Sequence, residues 1–113
     1  MTLEDELNAF TGTTAYHRHP LGVLYTDGVH HLAEKARAYW LLDIVASYQP
    51  KLKAVHFQLW ELERNPDRTA VITAREDDGH PDLVRQEIES TDFPMPFFSF
   101  YVIDGVMLLK SEY

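Results

Sequence analysis

The sequence predicts an α+β fold in which a short N-terminal helix and one long helix, over about residues 27–47, pack on a mainly antiparallel sheet of four to six strands. Three observations carry this. Apolar residues recur at helical spacing from Val29 to Ile44, the segment 54–64 alternates with period two, and Asp104-Gly105 lies between two apolar runs.

Taken in order, Thr2 to Phe10 reads as the short helix, with Thr2 as cap, Glu4, Asp5 and Glu6 at the positive end of the dipole, and Gly12 to stop it. Thr13 to Tyr25, interrupted by Pro20 and Gly22, suits a broken pair of extended pieces. Asp27 is placed to cap the long helix, whose second half, Tyr39 to Ala46, is apolar nearly all round apart from Asp43 and needs cover on more than one side. Pro50 lies beyond it.

Ala54 to Arg64 sets Val55, Phe57 and Leu59 against His56, Gln58 and Trp60, the pattern of a strand. Asn65-Pro66-Asp67 turns the chain into a β-branched stretch, Thr69 to Arg75, and a third strand follows around Val84 to Ile88. Phe97 to Ile103 and Val106 to Lys110 flank Asp104-Gly105, whose residue types tolerate the positive φ of a type I′ hairpin. With 113 residues and neither repeat nor linker, the chain reads as a single globular domain, residues 1–113.

Composition excludes several chemistries. Having no cysteine, the chain has no thiolate nucleophile, disulfide or Cys-ligated zinc. The N-terminus does not read as a signal peptide and no segment reaches the ~20 apolar residues that span a bilayer, so a cytoplasmic location away from membranes is expected. A net charge of −8 argues against binding to nucleic-acid phosphates. Gly-rich phosphate loops, Gly-x-Ser-x-Gly elbows and His-Glu-x-x-His are missing from the sequence.

The residues left with chemical potential are few. His17 and His19, two apart on an extended piece, would point to one side, and His30 and Glu34 would share a helix face. Together they form the candidate metal set, suited to Zn²⁺ or Fe²⁺, although its spacing matches no recognised signature. Asp43 is the one carboxylate in the apolar half of the long helix, and Trp40 beside it is a candidate contact residue. The run Phe97 to Tyr101 reads as core, and the strand Phe97 to Ile103 could pair with a second copy across a two-fold axis if it formed a sheet edge.

The segments Tyr25-Thr-Asp-Gly-Val-His-His-Leu-Ala-Glu-Lys-Ala-Arg-Ala-Tyr-Trp-Leu-Leu-Asp43, Phe57-Gln-Leu-Trp60, Thr91-Asp-Phe-Pro94 and Gly105-Val-Met-Leu-Leu-Lys-Ser-Glu-Tyr113 form a series. On them the chain resembles an uncharacterised bacterial domain-of-unknown-function family of small stand-alone proteins, often carried on plasmids and other mobile elements. The resemblance implies a bacterial cytoplasmic setting and brings no activity, cofactor or catalytic residue.

The expectation is a non-enzymatic binding or accessory module acting through protein contacts, a homodimer among them and a mobile element its setting, without a cofactor. Two alternatives stand beside it. One is a small metal-dependent or acid–base enzyme built on His17, His19, His30 and Asp43; the other is an acidic inhibitor that mimics nucleic acid.

Overall fold

Thr2 opens the first helix through a reciprocal capping box. Its hydroxyl oxygen accepts from the Asp5 backbone N–H at 3.1 Å, and the Asp5 carboxylate accepts from the Thr2 N–H at 3.2 Å. This computed structural model describes residues 2–113. Three α-helices follow from it, α1 (Leu3–Asn8), α2 (Asp27–Lys35) and α3 (Tyr39–Tyr48).

The seven strands are β1 (Tyr16–Arg18), β2 (Leu24–Thr26), β3 (Phe57–Arg64), β4 (Ala70–Arg75), β5 (Val84–Ile88), β6 (Phe97–Ile103) and β7 (Val106–Leu109). They form one sheet in the order β1-β2-β7-β6-β3-β4-β5. Neighbours are antiparallel except β2 and β7, which run parallel. The α+β class holds, and the hairpin at Asp104-Gly105 forms with φ of 51° and 78°, as a type I′ turn requires.

Three expectations are corrected. The long helix over 27–47 is two helices, because the chain breaks at Ala36-Arg37-Ala38. Arg37 takes a left-handed φ of 51° and the Ala38 N–H reaches back to the Ala33 carbonyl at 2.9 Å, which closes α2 with the six-to-one bond of a Schellman motif. The sheet has seven strands and is mixed, since the short pieces after Thr13 join it and β2 lies parallel to β7. The cap of α2 is Thr26, whose Oγ1 accepts from the Val29 N–H at 3.3 Å; Asp27 is already helical, and its carboxylate turns back to the segment before β1.

All three helices contribute to the core on one face of the sheet. Leu7 of α1, Val29 and Leu32 of α2, and Leu41, Leu42 and Val45 of α3 are buried there with Trp60, Leu62, Ile72, Phe100, Val102 and Met107. The cover that the apolar half of the helix needs comes from this core: Leu41, Leu42, Val45 and Ala46 are buried, while Asp43 and Ser47 face outward.

A C-terminal 3-10 turn, Lys110–Glu112, brings Glu112 to the start of α2. Its carboxylate accepts from the Thr26 hydroxyl at 2.6 Å, the Gly28 N–H at 3.2 Å and the Leu109 N–H at 2.9 Å. An anion here meets the positive end of the helix dipole. Gly28 is what lets it in: a Cβ at that position would lie 2.6 Å from Leu109 Cδ1 and 2.7 Å from Glu112 Oε1.

Candidate functional site

The sequence singled out His17, His19, His30, Glu34, Trp40 and Asp43, and the fold sorts them into separate places. His17 and His19 both lean toward the helices, but each meets a different one. The His17 ring lies flat on His30 of α2, with centroids 4.3 Å apart and planes 5° from parallel, and Tyr25 lies beside the pair, 5.3 Å from His17 and 6.3 Å from His30. Its Nε2 is 2.9 Å from Asp27 Oδ1, while His30 Nε2 is 3.5 Å from Glu34 Oε1.

Stacked imidazoles aim their nitrogens outward in parallel planes, whereas metal ligands must converge their lone pairs on one point. Among the described residues, no group of three or more histidine or carboxylate side chains comes together to hold a metal ion.

Asp27 anchors this corner. Its carboxylate also accepts from the Thr14 N–H at 3.0 Å and the Thr14 hydroxyl at 2.9 Å. The His17 bond first, then the two Thr14 bonds, hold its carboxyl well below the usual carboxylate range.

His19 is buried and pairs with Asp43, Nε2 to Oδ1 at 2.7 Å, and its Nδ1 accepts from the Leu21 N–H at 3.0 Å. That second bond fixes the tautomer, with Nδ1 bare and Nε2–H donating to the carboxylate. Both ring nitrogens are therefore occupied, and the pair ties the β1–β2 turn to α3. Asp43 is 68% exposed, so the carboxylate in the apolar helix lies on its outer side. Trp40 is half-buried, its ring edge-on to Phe93 at 6.4 Å, beside a shallow groove that also includes Arg68 and Thr91.

Sequence reasoning missed a cleft of about 620 Å³ where the end of α3, the start of β3 and the β6–β7 turn meet. Leu21, Ala46, Leu52 and Val55 wall it, and the His56–Asp104 ion pair and Lys53 stand at it. Gln58 lines it with an amide that is fully used. Its oxygen accepts from Gln49 Nε2 at 3.0 Å and Trp60 Nε1 at 2.8 Å, and its nitrogen donates to Gln49 Oε1 at 2.9 Å and the Val55 carbonyl at 3.3 Å. No buried side-chain polar atom among the described residues lacks a partner.

The larger feature is the sheet face away from the helices. Strand alternation and register assign it Leu24, Phe57, Leu59, Tyr101, Ile103, Val106 and Leu108 at its centre, all half-buried except Leu59, which is buried. Phe57 and Tyr101 pack at 4.8 Å, and Tyr113 stands edge-on to both. Large apolar side chains exposed on this face include Tyr16 at 62%, Phe97 at 51% and Tyr113 at 76%; Leu83 continues the same alternation from β5. The run Phe97 to Tyr101 is accordingly split: Phe98 and Phe100 enter the core, and Phe97 and Tyr101 lie on the open face. It is not an edge, because β6 is the middle strand, so the edge pairing considered for it is closed off.

Comparison with known proteins adds one match. The model of DUF6876, a family of unknown function, matches residues 1–113. No curated protein and no solved structure matches the chain.

Proposed function

The chain belongs to the family of unknown function DUF6876, and we propose that it is a non-enzymatic binding module whose contact surface is the open face of the sheet. The observation that carries this reading is the aromatic and aliphatic centre of that face, over which no helix or second sheet lies among the described residues. A sheet normally buries one apolar face and turns a polar one to water, and an exposed apolar patch rimmed by charge is the usual mark of a protein contact site. The rim is present here: Arg75 pairs with Glu61 at 2.7 Å and Asp82 at 3.4 Å.

The enzyme alternative receives less support, since both nitrogens of His19 are occupied and His17 is held by Asp27. Mimicry of nucleic acid calls for carboxylates in an unbroken line, and the charges around Arg75 are of mixed sign. The bacterial, cytoplasmic and mobile-element setting implied by the resemblance belongs to the same proposal, and no helix among the described residues is long and apolar enough to cross a membrane.

Capture experiments with three forms of the protein test the reading. Wild type and Tyr39→Glu, altered on the helix side, should recover the same protein, and Phe57→Glu/Tyr101→Glu should lose it. Equal recovery by all three forms would contradict the assignment of the surface.

A further inference from the structure

We infer that the open face is self-complementary and that its occupant is a second copy of the chain, stacked face to face about a two-fold axis running along β6. The inference rests on the proposed contact surface and adds the identity of the partner.

The first argument is register. β6 is the fourth strand of seven, so a two-fold along it lays β7 on the partner's β3, β2 on its β4 and β1 on its β5. Tyr101 lies on the middle strand, with Leu108 on one side and Leu59 on the other. Continuing the row outward reaches Tyr16, through its pairing with Thr26, and Leu83, one step beyond the pairing of Ala74 with Val84. The rotation therefore sets Leu108 on Leu59, Tyr101 on Tyr101, and Tyr16 on Leu83. The row is apolar on the axis, one strand out and at its two exposed ends, which meet each other, while two strands out Thr26 opposes Arg75.

The second argument is charge. On the β1, β2 and β7 side the face offers Arg18 and Lys110; on the β3, β4 and β5 side it offers Glu61, Glu63 and Glu87 against Arg75 and Arg85, with Asp82 on Arg75. The two-fold brings the cationic half of one copy onto the acidic half of the other. Lys110 follows Leu109, which pairs with Phe100, and so stands level with Ser99 and Glu61. The face as a whole is near neutral on a chain of net charge −8, so other surfaces of two copies carry the repulsion.

The third argument is size. Seven strands ~4.8 Å apart, the central ones about 23 Å long, give a footprint on the order of 600 Å². Protruding side chains raise the accessible area toward the ~800 Å² per partner of a standard interface. Aligned packing of twisted sheets is the geometry such faces adopt.

Sedimentation equilibrium tests the association and cross-linking tests its geometry. Wild type should sediment as a dimer, and Tyr101→Glu, which opposes two carboxylates on the axis, should sediment as a monomer with an unchanged circular dichroism spectrum. Because the chain has no cysteine, Tyr16→Cys/Leu83→Cys treated with a short bis-maleimide reports one distance cleanly. Within one copy these positions are about six strand spacings, or roughly 29 Å, apart. The double variant should give covalent dimers and each single variant none, a readout that stands even if Tyr101→Glu fails to fold.

A monomeric wild type, or a dimer in which the double variant does not cross-link between copies, would overturn the inference. Either result leaves the capture comparison to decide separately whether the face binds a different protein.

Discussion

At the scale of single residues, two of the histidines that sequence reasoning marked for chemistry form bonds that join elements of the fold. His19 with Asp43 ties a turn to α3, and His17 with Asp27 ties β1 to α2. Their spacing was legible, but which carboxylate each imidazole would meet was not, because the partners lie 10 and 24 residues away and depend on how the helix breaks. Asp27 gives a prediction in pH. Its carboxyl is held low in the folded state, so its stabilisation is complete above the unfolded value of 3.8 and is lost as pH falls through the lower folded value. The stability gap between wild type and Asp27→Asn in chemical denaturation should be widest near neutrality and shrink below pH ~4. A gap constant down to pH ~2 would contradict the role given to its hydrogen bonds.

Gly28 tests the latch from the C-terminal turn. Overpacking typically costs about 1–3 kcal/mol, so Gly28→Ala should lower the melting temperature by several degrees. In the Glu112→Ala background the same change should cost less, since one of the two side chains it meets is gone. Additive effects would mean that the Gly28 site tolerates a methyl without moving Glu112.

Elements were legible in proportion to the length and regularity of their pattern. The strands from Phe57 onward follow from alternation, and the β6–β7 hairpin follows from two residue types that accept positive φ. The α2–α3 break carried no glycine or proline, and its apolar residues kept helical spacing across it, so periodicity read straight through. What decides it is a Schellman closure that accepts an arginine in the left-handed region. Arg37→Gly separates the alternatives by sign. At a left-handed C′ position glycine removes a steric cost of about 1 kcal/mol, whereas in a continuous helix it would add about 1 kcal/mol. Thermal denaturation should show stabilisation, and a lowered melting temperature would speak for an unbroken helix. The two three-residue strands were harder to read because so short a stretch has no period; their place is fixed by pairing with each other and with β7.

For the whole molecule, one apolar sheet face is filled by three helices and the other carries no helix or second sheet among the described residues. Composition could not reveal this, since the same aromatic residues would serve a two-sided core. Only the register shows that Phe100 points to the helices and Tyr101 away from them. The net charge of −8 was legible at once, yet its meaning depended on seeing that the open face is near neutral. The central claim is that this face is where the molecule meets its partner, a second copy. Hydroxyl-radical footprinting at rising protein concentration tests it most directly, because the exposed side chains on the two sides act as mutual controls. Tyr16, Phe97 and Tyr113 on the open face should lose reactivity as concentration rises, while Tyr39 and Leu21, which lie off that face, should keep theirs. Unchanged reactivity of the first three, or protection of Tyr39 and Leu21 in their place, would contradict it.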